Sequence, residues 1–113
     1  MNERFEVEFL EAAKDFLESL DSKTQRKVLY NIWKAKLCND ATLFKPLTST
    51  IWEFRTLYNR KQIRLFAFWD KSESTSTLVI ATHGMIKKTG KVPRKEIQRA
   101  EKLRLKYFDT KEG

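Results

Sequence analysis

Residues 51–70 read Ile51-Trp52-Glu53-Phe54-Arg55-Thr56-Leu57-Tyr58-Asn59-Arg60-Lys61-Gln62-Ile63-Arg64-Leu65-Phe66-Ala67-Phe68-Trp69-Asp70. No other part of the chain constrains its architecture as tightly. β-branched and aromatic residues fill both halves, and Asn59-Arg60 between them fits the two-residue turn of a hairpin. Side chains alternate along a strand, so Glu53, Arg55 and Leu57 share one face, and Trp52, Phe54, Thr56 and Tyr58 the other. On the second strand Arg64 shares its face with Gln62, Phe66 and Phe68. A third strand, Thr75 to Met85, follows the longer turn Lys71-Ser72-Glu73-Ser74. Three consecutive strands joined by short turns form an antiparallel meander.

Upstream, Phe5, Val7 and Phe9 alternate with Glu6 and Glu8, which predicts a short half-buried strand added at a sheet edge. Phe9, Ala13, Phe16, Leu17 and Leu20 then recur at helical spacing, predicting a helix over about residues 10–20. Asp21-Ser22 offers a cap, and Ser22 with Gln25 makes a capping box for a second helix, with Val28, Leu29, Ile32, Trp33 and Leu37 on its apolar face. The connection is so short that the helices form an antiparallel hairpin. Residues 38–50 read as a loop broken by Asn39-Asp40 and Pro46. Downstream, Pro93 suits the first turn of a last helix, with Ile97, Ala100, Leu103 and Tyr107 as its apolar stripe. Lys95, Arg99, Lys102 and Lys106 form its basic face. The predicted order is β-α-α-β-β-β-α, an α+β fold in one domain spanning residues 1–113.

With 113 residues, 41% hydrophobic and 12% aromatic, the chain can bury a core and is not a disordered segment. No apolar run approaches the roughly 20 residues of a membrane span, and no signal-like opening is present, so a cytoplasmic location is expected. The single cysteine, Cys38, cannot form an internal disulfide and is expected to be a small, partly buried residue. The formal charge of +8 is unevenly distributed: −5 over residues 1–21, +7 over 22–82 and +6 over 83–113. A polarised basic chain of this size points to a polyanion, nucleic acid first; an anionic membrane surface or an acidic protein is the alternative.

The segment His83-Gly84-Met85-Ile86-Lys87-Lys88-Thr89-Gly90-Lys91-Val92-Pro93 gathers the only histidine, two of the three glycines and three lysines. Histidine moves protons near neutral pH, lysine holds phosphate, and glycine lets a backbone approach a ligand. Simple alternation puts Val79, Ala81, His83 and Met85 on one face, so that Arg55, Arg64 and His83 can meet on one sheet surface unless a bulge intervenes. The bland alternatives are an Arg55–Glu53 pair, a rim position for Arg64 and a structural histidine. Trp33, Trp52 and Trp69 are expected to pack in or beside the core, and Asp70 and Glu73 to be solvated. There is no metal-ligand spacing, Gly-rich phosphate loop or Ser/His/Asp pattern, so no cofactor or metal is expected.

Phe44-Lys45-Pro46-Leu47, Ile51-Trp52-Glu53-Phe54-Arg55, Ile63-Arg64-Leu65 and His83-Gly84 through Lys87-Lys88-Thr89 to Pro93 resemble the phage-derived, HigB-like branch of the RelE/ParE toxin superfamily. The resemblance runs through nearly the whole chain. It implies a RelE-like domain, with the N-terminal strand and helical hairpin packed on the sheet. It also implies the toxin of a type II toxin–antitoxin module, a ribosome-dependent endoribonuclease that cleaves mRNA. The implied partners are mRNA on the ribosome and a cognate helix-turn-helix antitoxin of the HigA/Xre-like kind, with no membrane and no required homo-oligomer. Carried across by motif, Arg55, Arg64, His83 and Lys87 are the expected catalytic residues. Lys45, Lys88, Lys91 and Arg94 are the expected RNA-binding ones. Ser49-Thr50 replaces the usual glycine pair, and Ile63 and Met85 stand where aromatics are common.

The chemistry can be stated from the residues themselves. RNA cleavage without a metal requires the 2′-hydroxyl to lose a proton and attack phosphorus, the pentacoordinate phosphorane to be stabilised, and the 5′-oxygen to gain a proton. One well-placed cationic donor contributes roughly 3–4 kcal/mol, and a positioned acid or base about 10²–10⁴ in rate. His83 is the first candidate for the proton, and a lysine of lowered pKa the second. Two other readings compete: a ParE-like inhibitor of DNA gyrase, and a non-enzymatic nucleic-acid-binding module.

Overall fold

A computed structural model describes residues 3–72, 77–88 and 90–112. The elements run β1 (Glu6–Phe9), α1 (Glu11–Ser19), α2 (Ser22–Leu37), β2 (Phe44–Pro46), β3 (Trp52–Tyr58), β4 (Lys61–Asp70), β5 (Leu78–Lys87) and α3 (Arg94–Glu112). The fold is α+β, as expected, with two corrections to its strands. First, the supposed loop holds a strand: Phe44 pairs with Phe54 and Pro46 with Trp52 across antiparallel β2 and β3. Three residues are too few to show a period of two, and proline is tolerated there because β2 is an edge. Second, β5 ends at Lys87 rather than Met85. The expected start at Thr75 and the second half of the preceding turn lie outside the described residues.

One five-stranded sheet, ordered β1-β5-β4-β3-β2, separates two apolar layers. Strands β3, β4 and β5 form the antiparallel meander, and β1 joins β5 in parallel, Glu6 beside Leu78. The β3–β4 hairpin turns on Asn59 (φ 52°) and Arg60 (φ 63°), both left-handed as a type I′ turn requires. One layer lies beneath α1 and α2. It gathers Phe5, Phe44, Phe54, Leu65, Ala67, Val79 and Ala81, with Phe44 stacked on Phe54 at 4.2 Å between ring centroids. The other lies beneath α3 and contains Ile51, Phe66, Phe68, Ile80 and Ala100.

The helical hairpin also departs from expectation. Asp21, not Ser22, caps α2: its carboxylate accepts from the Thr24 N–H at 2.9 Å and from the Thr24 hydroxyl. Gln25 turns away to donate to the Leu17 carbonyl at 2.7 Å. The buried face of α2 is Thr24, Val28, Asn31, Ile32 and Ala35. Asn31 donates to the Thr56 hydroxyl at 3.1 Å, so a polar pair holds the helix on the sheet while Leu29 and Trp33 face solvent. Cys38 is exposed. Among the described residues, no helix is long and apolar enough to cross a membrane.

Helix α3 is held by polar side chains as well as by its apolar stripe. Asp70, expected to be solvated, is buried and accepts from the Tyr107 hydroxyl (2.6 Å), Lys111 Nζ (2.9 Å) and the Ser72 N–H (3.0 Å). Burial opposes its ionisation, but the hydrogen bonds from Ser72, Tyr107 and Lys111 prevail and hold its carboxyl well below the ordinary value. Burial and the bond to Asp70 in turn push the Tyr107 phenol up to about 12. Midway along the helix, Glu101 accepts from the Thr50 hydroxyl and from Arg104 Nη1. Glu73 lies outside the described residues.

Candidate functional site: a cationic sheet face

Strand register arranges the site in three rows on the α3 side of the sheet. Lys45 pairs with Glu53, Glu53 with Phe66, and Phe66 with His83. The next row is Arg55–Arg64–Met85, and the third Leu57–Gln62–Lys87. The α3 layer covers the Phe66 end of these rows. Lys87 therefore lies one pleat beyond the arginine pair, near the end of the sheet.

His83 belongs to this face because of a β-bulge. Phe66 pairs with His83 but Ala67 pairs with Ala81, which leaves Thr82 without a partner on β4. Strict alternation would have kept His83 with Val79 and Ala81, in the layer under α1 and α2. The extra residue changes the phase, so His83, Met85 and Lys87 follow Ile80 on the α3 side, and the expected common face of Val79, Ala81, His83 and Met85 is corrected. Gly84 consequently points at α1: a Cβ there would collide with the Phe16 ring. This glycine accommodates an aromatic side chain rather than a ligand. Gly90 has φ +43° and serves the turn before α3.

His83 is 1% exposed, and both its nitrogens are engaged. Nδ1 lies 3.0 Å from Thr82 Oγ1, Nε2 lies 3.3 Å from Glu96 Oε1, and the ring packs on Phe66 at 4.9 Å. Burial, then the charge of Arg99, holds the imidazole below its ordinary value; Glu96 pulls the other way. Thr82 Oγ1 also lies 3.3 Å from the Phe66 carbonyl, to which it donates, so the ring sits in a buried polar chain running from Phe66 through Thr82 to Glu96. The ring thereby ties the bulge to the first turns of α3, with no nitrogen left open to a substrate.

Glu53, in sequence only a possible partner for Arg55, lies at the centre of the cations. It is 2% exposed. Its Oε1 lies 3.3 Å from Arg64 Nε and its Oε2 3.5 Å from Arg55 Nε. These are ion pairs by distance but poorly aligned: Glu53 Oε1, Arg55 Nε and Arg64 Nε make no hydrogen bond. Arg64 is buried and donates to the Ile63 carbonyl and to Gln62 Oε1, both at 3.2 Å. Burial pushes its guanidinium down from its ordinary value, Glu53 opposes that, and Arg55 adds to it. The Arg55 side chain remains 30% exposed.

Lys87 is the more open group. Partial burial and the charges of Arg64, Arg55 and Lys45 push its ammonium below the ordinary lysine value, against the pull of Glu53. The three cations and Glu53 therefore lie within electrostatic reach of Lys87. An open hollow of about 380 Å³, lined by Arg55, Arg64, Leu57 and Gln62 with Thr42 and Thr56, lies on one side of the Gln62–Lys87 pair. On the other side is a groove of about 300 Å³ lined by Lys87, Lys88, Lys91 and Lys95, with Glu96. The structure thus brings Lys45, Arg55, Arg64 and Lys87 together and places Lys88 and Lys91 beside them. Arg94 is exposed at the start of α3 and lines neither hollow. Thr89 lies outside the described residues. Among the described residues, no group of three or more His, Cys, Asp or Glu side chains is placed to hold a metal ion.

Comparison with known proteins identifies a family. A search among curated proteins returned no match. The family model described as phage derived protein Gp49-like (DUF891) matches residues 15–105, from the middle of α1 into α3. That range includes all three rows of the cationic face, and the chain belongs to the phage-derived Gp49-like family.

Proposed function

We propose that this protein is the toxin of a type II toxin–antitoxin module of the HigB-like, RelE/ParE kind, acting as a ribosome-dependent endoribonuclease on mRNA. A small α+β fold is compatible with a nuclease but does not specify one, because function resides in the site. The observation that carries the reading is the register of Arg55, Arg64 and Lys87 on one sheet face, with Lys45 one row away and a lysine-lined groove alongside. Three cations across neighbouring strands suit a bent phosphodiester that gains charge as it reacts. The sequence resemblance to HigB-like toxins includes these same residues.

In this reading Arg55 and Arg64 hold the non-bridging oxygens of the scissile phosphate, and Lys88 and Lys91 hold a neighbouring one. Lys87 donates the proton to the departing 5′-oxygen, a role suited to an ammonium whose pKa is lowered by its neighbours. Glu53 Oε2, which faces Arg55 at 3.5 Å, is released once Arg55 turns onto the phosphate and takes the 2′-hydroxyl proton. His83 is a positioning residue that holds the bulge against α3. A cognate helix-turn-helix antitoxin is the expected inhibitor, and the ribosome supplies the mRNA conformation that this shallow face cannot impose.

Purified protein added to a translating extract should yield mRNA truncated at its 3′ end, and only when ribosomes are present. Intact message in that extract, together with blocked supercoiling in a gyrase assay, would replace the nuclease reading with the ParE-like one. Intact message with tight, salt-sensitive RNA binding would leave only a binding module.

A further inference from the structure

The outward face of α2 has no place in the site described above. It displays Leu29, Tyr30 and Trp33, which are 39%, 49% and 48% exposed. Scattered exposed apolar side chains are ordinary, but these lie one turn apart on a single helix, with the Tyr30 and Trp33 rings 5.8 Å between centroids. Residues 22–37 contain five cations, Lys23, Arg26, Lys27, Lys34 and Lys36, and no acid. Lys36 is paired with Glu3 at 3.3 Å. Lys27 and Lys34 place their ammonium groups over the Tyr30 ring, at 5.3 and 5.9 Å from its centroid. The result is an aromatic centre with a cationic rim, on the opposite side of the sheet from α3.

We propose that this face is a docking site for an acidic amphipathic helix of another protein. A convex helical ridge of Leu29, Tyr30 and Trp33 fits between the side chains of a second helix. Tyrosine and tryptophan are also the side chains that most often anchor protein interfaces. A second copy of this chain fits poorly, because it would bring two helices of five cations and no acids face to face. Single-stranded RNA fits poorly as well: base stacking needs a free ring face, and the Tyr30 ring already carries two ammonium groups. Carboxylates flanking the apolar stripe of a partner helix would instead meet Lys23, Arg26, Lys27 and Lys34.

The test uses the full chain and a synthetic helical peptide carrying leucine at i, i+3, i+4 and i+7 and glutamate at the flanking positions. Titration should shift the Trp33 indole N–H resonance saturably, leave those of Trp52 and Trp69 in place, and weaken as salt is raised. Tyr30→Ser and Trp33→Ser should each lower the affinity at least tenfold; Lys27→Glu with Lys34→Glu should do the same with both aromatic side chains retained. No preference for this peptide over its glutamate-to-lysine counterpart would overturn the proposal. So would a Trp33 shift produced by an RNA 12-mer, or self-association through this face.

Discussion

The two faces of the sheet are built from the same strands but to different ends. The face under α1 and α2 is apolar and aromatic, with Phe5, Phe44 and Phe54 in mutual contact. The face under α3 is apolar at one end only; beyond Phe66 it becomes ionic, with Glu53 and Arg64 buried without aligned hydrogen bonds between them. One face supplies stability and the other accepts unfavourable burial of charge, as expected where side chains are arranged for a ligand rather than for each other. Alternation along β3 produces both: Phe54 belongs to the first face, Glu53 and Arg55 to the second.

The largest effect should come from the aromatic face. Phe54→Ala removes a ring stacked on Phe44 and should cost about 3–5 kcal/mol in urea denaturation, with activity lost because the fold is lost. On the ionic face, Arg64→Met leaves Glu53 buried beside only the half-exposed Arg55 and should cost about 3 kcal/mol, whereas Glu53→Leu with Arg64→Met should come out near neutral. A double variant as unstable as the single one would mean that the pair does not balance desolvation as described.

The contact between α1 and β5 gives a smaller change. Gly84→Ala drives a methyl group into the Phe16 ring and should cost about 2 kcal/mol, with partial recovery on Phe16→Leu. The smallest change is pH-dependent. The folded chain holds His83 below its ordinary value of 6.5, so between the two values the unfolded chain binds the extra proton. Stability should therefore fall as pH drops through 6.5, and His83→Gln should flatten that slope. A slope of opposite sign would mean a charged imidazole stabilised by Glu96.

Much of this was legible in the sequence, and the misses have physical causes. Asn59 between two strand-like runs announced the hairpin, because asparagine accepts a positive φ whereas Arg60 gives no such signal; alternation allowed Arg55 and Arg64 a common face that only the register establishes. The Thr82 bulge was not legible. It leaves the local residue pattern unchanged and shows only in pairing, yet it determines the side on which His83 lies. Helix α2 carries two apolar stripes about 100° apart, and spacing could not reveal that a buried Asn31–Thr56 bond selects the Val28–Ile32 stripe over the Leu29–Trp33 one. Strand β2 is too short for any period. The place of Glu53 between two guanidinium groups depends on strand register, which residue spacing does not carry.

The central claim is that the open cationic end of this face does chemistry while His83 supports it. Initial cleavage rates in a translating extract, measured against pH for Lys87→Met and His83→Gln, test it most directly. Lys87→Met should lose about 10²-fold or more and with it the alkaline fall in rate, at unchanged stability. His83→Gln should keep the wild-type pH profile and lose less than tenfold. An inactive His83→Gln with near-normal Lys87→Met would contradict the account and return the proton to the histidine.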